Sequence, residues 1–456
     1  MFTHLMPHSS RPDVPPARRL ARPRLAVLAT ALVAVLTPAL GACAGDAASA
    51  SGAGAGGNGT LKWTSSYFPA HWDPVVSGSG AQFRELALVY ASLTRTDETG
   101  KAVPDLAESW EYNEKGDQVT FHLRPGLKFT DGAPLDATAV KDAVERAKKQ
   151  KNSALFGDLT SIRSVDANGL DAVLHLTQVD YQIPQLLGQR VLQIASPKAA
   201  ATPEKLDQNP VGAGPFTITQ LVPGTKAVLR KNPAYWDAKN IHIDNVELTA
   251  APDASTVVNG LQTGVYNFAD IKPSQADAAK KAGLDVFVQP GFNASNISLN
   301  INKAPFDNDK VVDAVRHAVN RQEFVDKLTF GHGSVTNQPF PKGYIAPGSP
   351  PPHPPGPRDS AAQTLTAHFG PNGPLNLSSP YEPDGFEAAI AKVRQTPLDA
   401  PDYPKVLQAA TRAGLQSKAL VFTYSSPNLV AKSKSISALP KNPAHIDWTG
   451  VTISGN

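Results

Sequence analysis

From Leu61 onward, short segments with a two-residue hydrophobic period alternate with segments of helical period. Val119, Phe121 and Leu123 alternate with polar neighbours, which predicts a half-buried strand. Further strands are predicted at 172–176, 227–230, 243–248, 297–301 and 420–424. Amphipathic helices are predicted after a capping Asp136, over 309–328, and from Tyr403 to a stop at Gly414. This succession predicts a mixed α/β protein.

The beginning of the chain has the features of an export signal. Residues 26–40 are an apolar run of fifteen residues, shorter than the about 20 that a membrane-spanning helix needs. The run ends in LGAC at 40–43, which is similar to the lipobox of bacterial lipoproteins, where the Cys carries lipid. We predict a signal peptide with lipobox over 1–43, lipid attachment at Cys43 and a flexible tether over 44–60. A cleaved signal peptide with an incidental Cys is the alternative.

The position of the charges argues against nucleic-acid binding. The formal net charge is +3, but five Arg and one Asp place +4 in the first 42 residues, so the remainder is near −1. A nucleic-acid-binding protein needs an excess of basic side chains to neutralise phosphates. The sequence also contains no H-E-x-x-H or G-x-S-x-G string. We therefore predict a protein without catalytic residues, metal site or cofactor, and not an enzyme.

Several segments carry a resemblance to a known family. The main block consists of PDLAESW at 104–110, VTFHLR at 119–124 and KFTDG at 128–132. Three shorter segments also match, in the order that the family has along its chain: WDP at 72–74, GAGPF at 212–216 and KNPAYW at 231–236. Together they resemble the extracytoplasmic solute-binding proteins of peptide- and nickel-type ABC importers (family 5). Gly212 and Gly214 also indicate, without the family, a bend where two segments of backbone approach closely.

The resemblance implies an α/β fold of the periplasmic-binding-protein type, with mixed sheets and a cleft between two lobes. It places the first lobe with its inserted subdomain at 61–300 and the second lobe at 301–380. A C-terminal segment at 381–456 would return toward the first lobe. At Asn267 the chain departs from the acid that the family usually carries.

A larger departure follows Tyr344. The family's strand–helix unit, second apolar strand and Trp/Asp-containing segment are missing, and a Pro-rich loop occupies 346–358. In peptide-binding members that stretch supplies the carboxylate that holds the ligand's amino terminus. The second lobe is therefore predicted to be shortened. A naturally reduced lobe and an internally deleted gene product both remain open.

The resemblance also suggests where a ligand would bind. Aromatic rings offer large contact areas and amides bond to peptide-like groups without requiring a charge. The predicted ligand-binding residues are Ser66, Tyr67, Phe68, Trp72, Phe292, Asn293 and Asn296. Each of these side chains could equally serve packing or turn formation.

Two functions from different classes fit these features. The first is a monomeric, lipid-anchored, extracytoplasmic protein that captures a peptide or other small solute by lobe closure and delivers it to the transmembrane subunits of an ABC permease. The second is a sensory or interaction lipoprotein on the same fold that has lost its pocket. An extracellular hydrolase would require a reactive constellation that the sequence does not contain.

The lipobox generates the first testable prediction. Because Cys43 is the only Cys and directly follows an apolar run that ends in small residues, the substitution Cys43→Ala should release the protein from membranes or stall its processing. Membrane fractionation and the mass of the mature chain measure both effects. A variant that stays membrane-bound and normally processed would show that Cys43 carries no lipid.

Overall fold

The structure of this chain is a computed structural model. The residues that it describes are 59–77, 82–97, 101–188, 191–289, 294–340, 361–371, 373, 375–376, 382–440 and 446–454. Several predictions therefore lie outside the described residues: the signal peptide, Cys43 and most of the tether, the Pro-rich loop 346–358, Phe292 and Asn293.

The described residues form strands and helices in an alternating order, which confirms the mixed α/β prediction. The strands are β1 Thr60–Ser65, β2 Thr94–Thr96, β3 Ala102–Pro104, β4 Ala107–Tyr112, β5 Gln118–Leu123, β6 Ile162–Asn168, β7 Asp171–Leu176, β8 Phe216–Val222, β9 Lys226–Lys231, β10 Asn245–Ala250, β11 Phe268–Ile271, β12 Asp285–Gln289, β13 Ala294–Ser298, β14 Ser334–Val335, β15 Leu420–Ser425 and β16 Asn428–Lys432. The helices are α1 Phe83–Leu86, α2 Ala137–Lys149, α3 Ile183–Leu186, α4 Pro197–Ala200, α5 Ala254–Gln262, α6 Ala276–Lys281, α7 Asp309–Ala318, α8 Arg321–Leu328, α9 Ala361–Phe369, α10 Phe386–Gln395 and α11 Tyr403–Leu415. Single 3₁₀ turns occupy Pro203–Lys205, Ala238–Asn240 and Pro273–Gln275.

The largest sheet has seven strands in the order β12-β16-β11-β1-β10-β9-β8. Its first strand, β1, lies at the centre and pairs in parallel with both β10 and β11, while the outer pairings are antiparallel. The core beside β1 contains a cluster of three aromatic rings. The ring centroid of Trp63 lies 5.7 Å from that of Phe268 and 6.1 Å from that of Trp448, and both pairs are close to edge-to-face. Such rings bury a large apolar area and fix the neighbouring strands in register.

A separate four-stranded antiparallel sheet has the order β4-β5-β7-β6 and is covered by α2. The predicted alternation in β5 is confirmed, because Val119, Phe121 and Leu123 are buried and the residues between them are half-buried. Asp136 caps α2 as predicted, since its Oδ1 accepts hydrogen bonds from the amides of residues 138 and 139 at 2.9 and 3.2 Å. This sheet thus follows directly from the periodicity of the sequence.

The third sheet is small and has the order β13-β15-β14. Helices α9, α10 and α11 share one core with it, in which Leu365, Ile390 and Leu407 accompany Phe422 of β15. The chain enters this sheet after β12 and returns after β15 to β16 of the large sheet. The predicted boundaries at 300 and 380 stay predictions, and β13 and β15 pair across both of them.

Three sequence-based predictions need correction here. The helix predicted over 309–328 is two helices, because Val319 and Asn320 are extended and the Asn320 side chain caps α8 by accepting the amide of Glu323 at 3.2 Å. The strand predicted at 297–301 runs instead over Ala294–Ser298, and a turn follows in which Asn300 Oδ1 accepts an amide hydrogen bond. Gly414 does not end α11.

Gly414 has a packing role that the sequence did not reveal. It lies inside α11, one residue before the end of the helix. A Cβ atom at this position would stand 2.3 Å from Cδ2 of Phe369. Glycine is therefore required because α11 packs closely on α9, and not because the helix stops there.

The close approach predicted at Gly212 and Gly214 is confirmed. The Gly214 amide donates to the Val89 carbonyl at 2.8 Å, and a Cβ on Gly212 would lie only 2.2 Å from the same oxygen. The bend therefore needs glycine because two backbones touch there.

Gly212→Ala should consequently lower the free energy of unfolding by about 1–3 kcal/mol, since the backbone must shift to make room for the methyl group. Gly157→Ala is the matched control, because a Cβ there meets nothing within 4 Å. Urea denaturation of both variants measures the difference. Equal stabilities would show that the Gly212 bend is not constrained.

Candidate ligand-binding site

The segment with the predicted aromatic residues begins where β1 ends. β1 runs parallel to β10 and β11, so the carboxyl ends of three adjacent strands meet at one edge of the large sheet. In open α/β sheets, ligands bind in the crevice outside the carboxyl ends of parallel strands. Residues 66–72 follow Ser65 at this edge, and they form the candidate site together with the side chains beneath them.

The four predicted residues of this segment differ in exposure. Ser66 is exposed, Tyr67 is 42% exposed and Phe68 is half-buried. Trp72 is only 2% exposed, and its ring lies edge-to-face behind Phe68 with the centroids 6.1 Å apart. A solute at this surface would therefore contact residues 66–68, whereas Trp72 supports the Phe68 ring from within the core.

Polar contacts from distant parts of the chain fix the far end of this segment. The Trp72 amide donates to Asp207 Oδ1 at 2.7 Å, and the Tyr90 hydroxyl donates to the Trp72 carbonyl at 2.7 Å. Next in the chain, the carboxylate of Asp73 accepts two hydrogen bonds from Arg146 at 2.8 and 2.9 Å. Fork-to-fork pairs of this kind fix orientation as well as position. These contacts anchor Trp72 and Asp73 to distant parts of the chain.

A cluster of charged side chains lies beneath Tyr67. Arg84 of α1 donates two hydrogen bonds to Asp270 of β11, at 3.1 and 3.0 Å. Glu85 is fully buried, and its Oε1 accepts a hydrogen bond of 2.5 Å from the Ser65 hydroxyl. The Ser65 oxygen in turn accepts the amide of Tyr67 at 3.0 Å. Sequence reasoning missed this cluster, because an Arg-Glu pair in a short helical segment is normally solvated.

The electrostatics of the cluster follow from its burial. Burial raises the pKa of Glu85 to about 7, although Arg84 and the hydrogen bond from Ser65 act in the opposite direction. The second carboxylate oxygen of Glu85, Oε2, is buried and has no hydrogen-bond partner among the described residues. Burial also works against the charge of Arg84, but the attraction of Asp270 and Glu85 exceeds it, so the pKa of Arg84 is raised. The guanidinium is therefore permanently charged.

The one remaining predicted residue that the structure describes belongs to a different sheet. Asn296 lies on β13 of the three-stranded sheet, is half-buried, and accepts a hydrogen bond from the Ser298 hydroxyl at 3.0 Å. Phe292 and Asn293 precede it outside the described residues. Ser66 to Trp72 and Asn296 are therefore contributed by two different sheets, which the chain connects twice, between β12 and β13 and between β15 and β16.

The described residues contain neither a membrane-spanning helix nor a cluster of metal ligands. None of their helices combines the length and the apolar character needed to cross a bilayer. Nowhere in the same ranges do three His, Cys, Asp or Glu side chains lie where they could hold one metal ion together.

The seven-stranded sheet (the first unit) and the three-stranded sheet with helices α7 to α11 (the second unit) are joined by two crossings of the chain. This arrangement, with aromatic side chains at the carboxyl ends of parallel strands, is that of the two-lobe binding proteins. The model of the bacterial extracellular solute-binding proteins, family 5 (middle), matches residues 101–398, well over half of the 456 residues. The chain belongs to this family.

Curated relatives agree with this assignment. Di/tripeptide-binding protein 3 of Pseudomonas aeruginosa is 28% identical over 297 residues, which cover 59% of this chain and 56% of the relative. Heme-binding protein A of Haemophilus influenzae is 27% identical over 350 residues, covering 69% of this chain and 63% of the relative. The chain thus spans little more than half the length of the first curated relatives that it matches.

Solved structures show the same fold. AgaA of A. tumefaciens R10 in complex with agropinic acid has a TM-score of 0.75 at 19% identity, over 87% of this chain and 99% of that one. DppA of Helicobacter pylori in complex with the peptide STSA has a TM-score of 0.72 at 19% identity, over 88% of this chain and 99% of that one. These neighbours are periplasmic binding proteins, so the predicted two-lobe fold is confirmed.

The raised pKa of Glu85 gives a prediction with a definite sign. Between the ordinary glutamate pKa of about 4.3 and a pKa of about 7, the folded state keeps a proton that the unfolded state has released. The contribution of Glu85 to stability is therefore full below this window and is lost as the pH rises through it. Glu85→Gln removes the charge, so the free energy of unfolding of the variant should match that of the wild type at pH 4 and exceed it by roughly 3–4 kcal/mol at pH 8.

Urea denaturation at the two pH values measures this difference. Glu108→Gln is the control, because Glu108 is exposed on β4 and its loss should change stability equally little at both. A Glu85→Gln variant that is no more stable than the wild type at pH 8 would contradict the raised pKa of this buried carboxyl.

Proposed function

We propose that this chain is the solute-binding component of an ABC importer and that it captures peptides or peptide-like solutes. The observation that carries the proposal is the Ser66-Tyr67-Phe68 segment, which lies at the carboxyl ends of three parallel strands in a family 5 fold, with Ser66 and Tyr67 exposed and Phe68 half-buried. The peptide-binding relatives from Pseudomonas aeruginosa support the solute class. Aromatic side chains suit it because they contact varied peptide side chains without demanding a charge.

Binding would proceed by closure of the two sheet units around the solute. Tyr67 and Phe68 contact the solute from the large sheet, and Asn296, with Phe292 and Asn293 before it, contacts it from the second unit. A solute that touches both units only in the closed form binds that form more tightly and shifts the equilibrium toward it. The transmembrane subunits of the permease then receive the closed, loaded form, and the solute leaves chemically unchanged.

The proposal includes the location of the protein. The signal peptide would direct export, and lipid on Cys43 would hold the mature chain at the extracytoplasmic face of the membrane. The tether over 44–60 would leave the folded part free to approach its permease. A single closed binding protein is sufficient for this task, so the chain would act as a monomer.

A thermal-shift screen of dipeptides to octapeptides, glycans and metal chelates tests the binding role. A solute that binds only the folded state at a hundredfold excess over Kd should add about 2.7 kcal/mol to the free energy of unfolding. We expect peptides to raise the melting temperature and to be recovered intact. If no compound raises it, the sensory or interaction lipoprotein becomes the better account. Conversion of a bound compound would show that the protein is an enzyme.

The site itself is tested by variants on the best peptide of the screen. Tyr67→Ala should weaken binding about tenfold, because it removes a large exposed contact. Phe156→Ala is the control, since Phe156 is 58% exposed but lies in the connection between α2 and β6. Trp72→Ala should lower both affinity and stability, because its ring is buried behind Phe68. Equal affinities of Tyr67→Ala and Phe156→Ala would move the site elsewhere.

A further inference from the structure

We propose that Arg84 is a positioning residue of the ligand site: it holds the ring of Tyr67 so that the free face of that ring receives a flat or apolar side chain of the solute. This inference rests on the proposed function, because it assigns a solute group to the same site. Arg84 itself lies below the surface and does not touch the solute.

The first observation is that the guanidinium of Arg84 lies over two aromatic rings. The guanidinium carbon of Arg84 lies 5.5 Å from the centroid of the Tyr67 ring and 5.8 Å from that of Trp63. Trp63 is fully buried, whereas Tyr67 is 42% exposed. The guanidinium thus lies over one buried and one exposed ring, and cation–π attraction holds the exposed ring. Since Arg84 covers one face of Tyr67, the exposed area belongs to the other face and the edges.

The second observation is that the guanidinium cannot rotate. Both of its terminal nitrogens donate to the carboxylate of Asp270, at 3.1 and 3.0 Å, and the Arg84 side chain is only 9% exposed. Asp270 lies on β11, which pairs directly with β1. The position of the guanidinium under the Tyr67 ring is therefore fixed by its hydrogen bonds to a central strand of the large sheet.

A third observation links the backbone of Tyr67 to the same helix. The Tyr67 amide donates to the Ser65 oxygen, and the Ser65 hydroxyl donates to Glu85, the residue that follows Arg84. Two consecutive residues of α1 thereby fix both the backbone and the ring of Tyr67. Helix α1 otherwise contributes Phe83 and Leu86 to the core.

Stability alone does not account for this arrangement. Removing two charges from water costs several kcal/mol per ion, and well-packed apolar residues of similar volume often replace a buried ion pair without loss of stability. The buried Arg84–Asp270 pair beneath the exposed ring of Tyr67 is explained if the orientation of that ring matters for ligand binding. A ring that is already ordered also loses less conformational entropy when a solute binds to it.

The experiment replaces the charged cluster by neutral residues in the variant Arg84→Met with Asp270→Leu and Glu85→Gln. Glu85 is included because Arg84 also donates to its carboxylate at 3.4 Å, and the loss of Arg84 alone would leave that buried group without a counter-charge. We expect the melting temperature to stay within a few degrees of the wild type. Nitration of Tyr67 by tetranitromethane, measured by mass spectrometry against Tyr266, should rise at least threefold because the ring is released. The Kd for Ala-Phe-Ala should rise about tenfold, and that for Ala-Ala-Ala should change much less.

The double variant Lys432→Met with Asp285→Leu is the matched control. This ion pair, with 3.0 Å between Nζ and Oδ2, joins the outer strands β16 and β12 and should affect neither nitration nor affinity. Arg84→Lys is the second variant, in case the first does not fold. This variant keeps a charge near Asp270 but loses the planar guanidinium under Tyr67, so the nitration of Tyr67 should still rise.

The outcomes separate the two proposals. If the wild type binds no peptide, the proposed function fails, while the nitration rates still decide whether Arg84 positions Tyr67. Unchanged nitration in both Arg84 variants would overturn the inference. It would also be overturned if the Ala-Phe-Ala and Ala-Ala-Ala affinities fell equally, together with the melting temperature, because Arg84 would then serve stability alone.

Discussion

The parallel pairing of β1 at the centre of the large sheet is the constraint on which the rest of the structure depends. β1 begins the described fold, yet its partners β10 and β11 lie 185 and 205 residues later in the chain, as in the pairs Thr60–Asn245 and Trp63–Phe268. Asn267 completes this pairing, because its side chain accepts the Lys62 amide at 2.7 Å and donates to the Thr60 carbonyl at 2.8 Å. The acid usual in the family could accept the first hydrogen bond but could not donate the second.

Features set by short stretches of sequence were predicted well. The alternation in β5, the Asp136 cap of α2 and the close approach at Gly212 each depend on a few residues whose geometry is local or sterically unique. The interrupted helix over 309–328 was missed because hydrophobic periodicity continues through Val319 and Asn320. Only the competition between backbone and side-chain hydrogen bonds at Asn320 ends one helix and starts the next.

The candidate site was predicted in part, for a physical reason that separates its residues. Tyr67 and Phe68 could be found because they follow a strand end in a segment resembling the family's cleft. The depth of Trp72 and the role of Arg84 are set by Asp207 and Asp270, which lie 135 and 186 residues away. A single sequence contains no signal for such pairings. A buried Arg and an exposed Arg have the same local pattern until their partners are known.

The two sheets that carry the candidate site residues are supported by elements that differ in how much they bury. Beneath Tyr67 and Trp72, two bidentate Arg–Asp pairs and a cluster of buried aromatic rings fix the surface of the large sheet. On the other side, the fully described helices α7 and α8 bury one valine each, Val312 and Val325. Helices with so few buried contacts belong to the less stable end of a structure. Under the proposed function, the aromatic surface of the large sheet would supply a constant part of the recognition, and α7 and α8 would be the elements that adapt to different solutes.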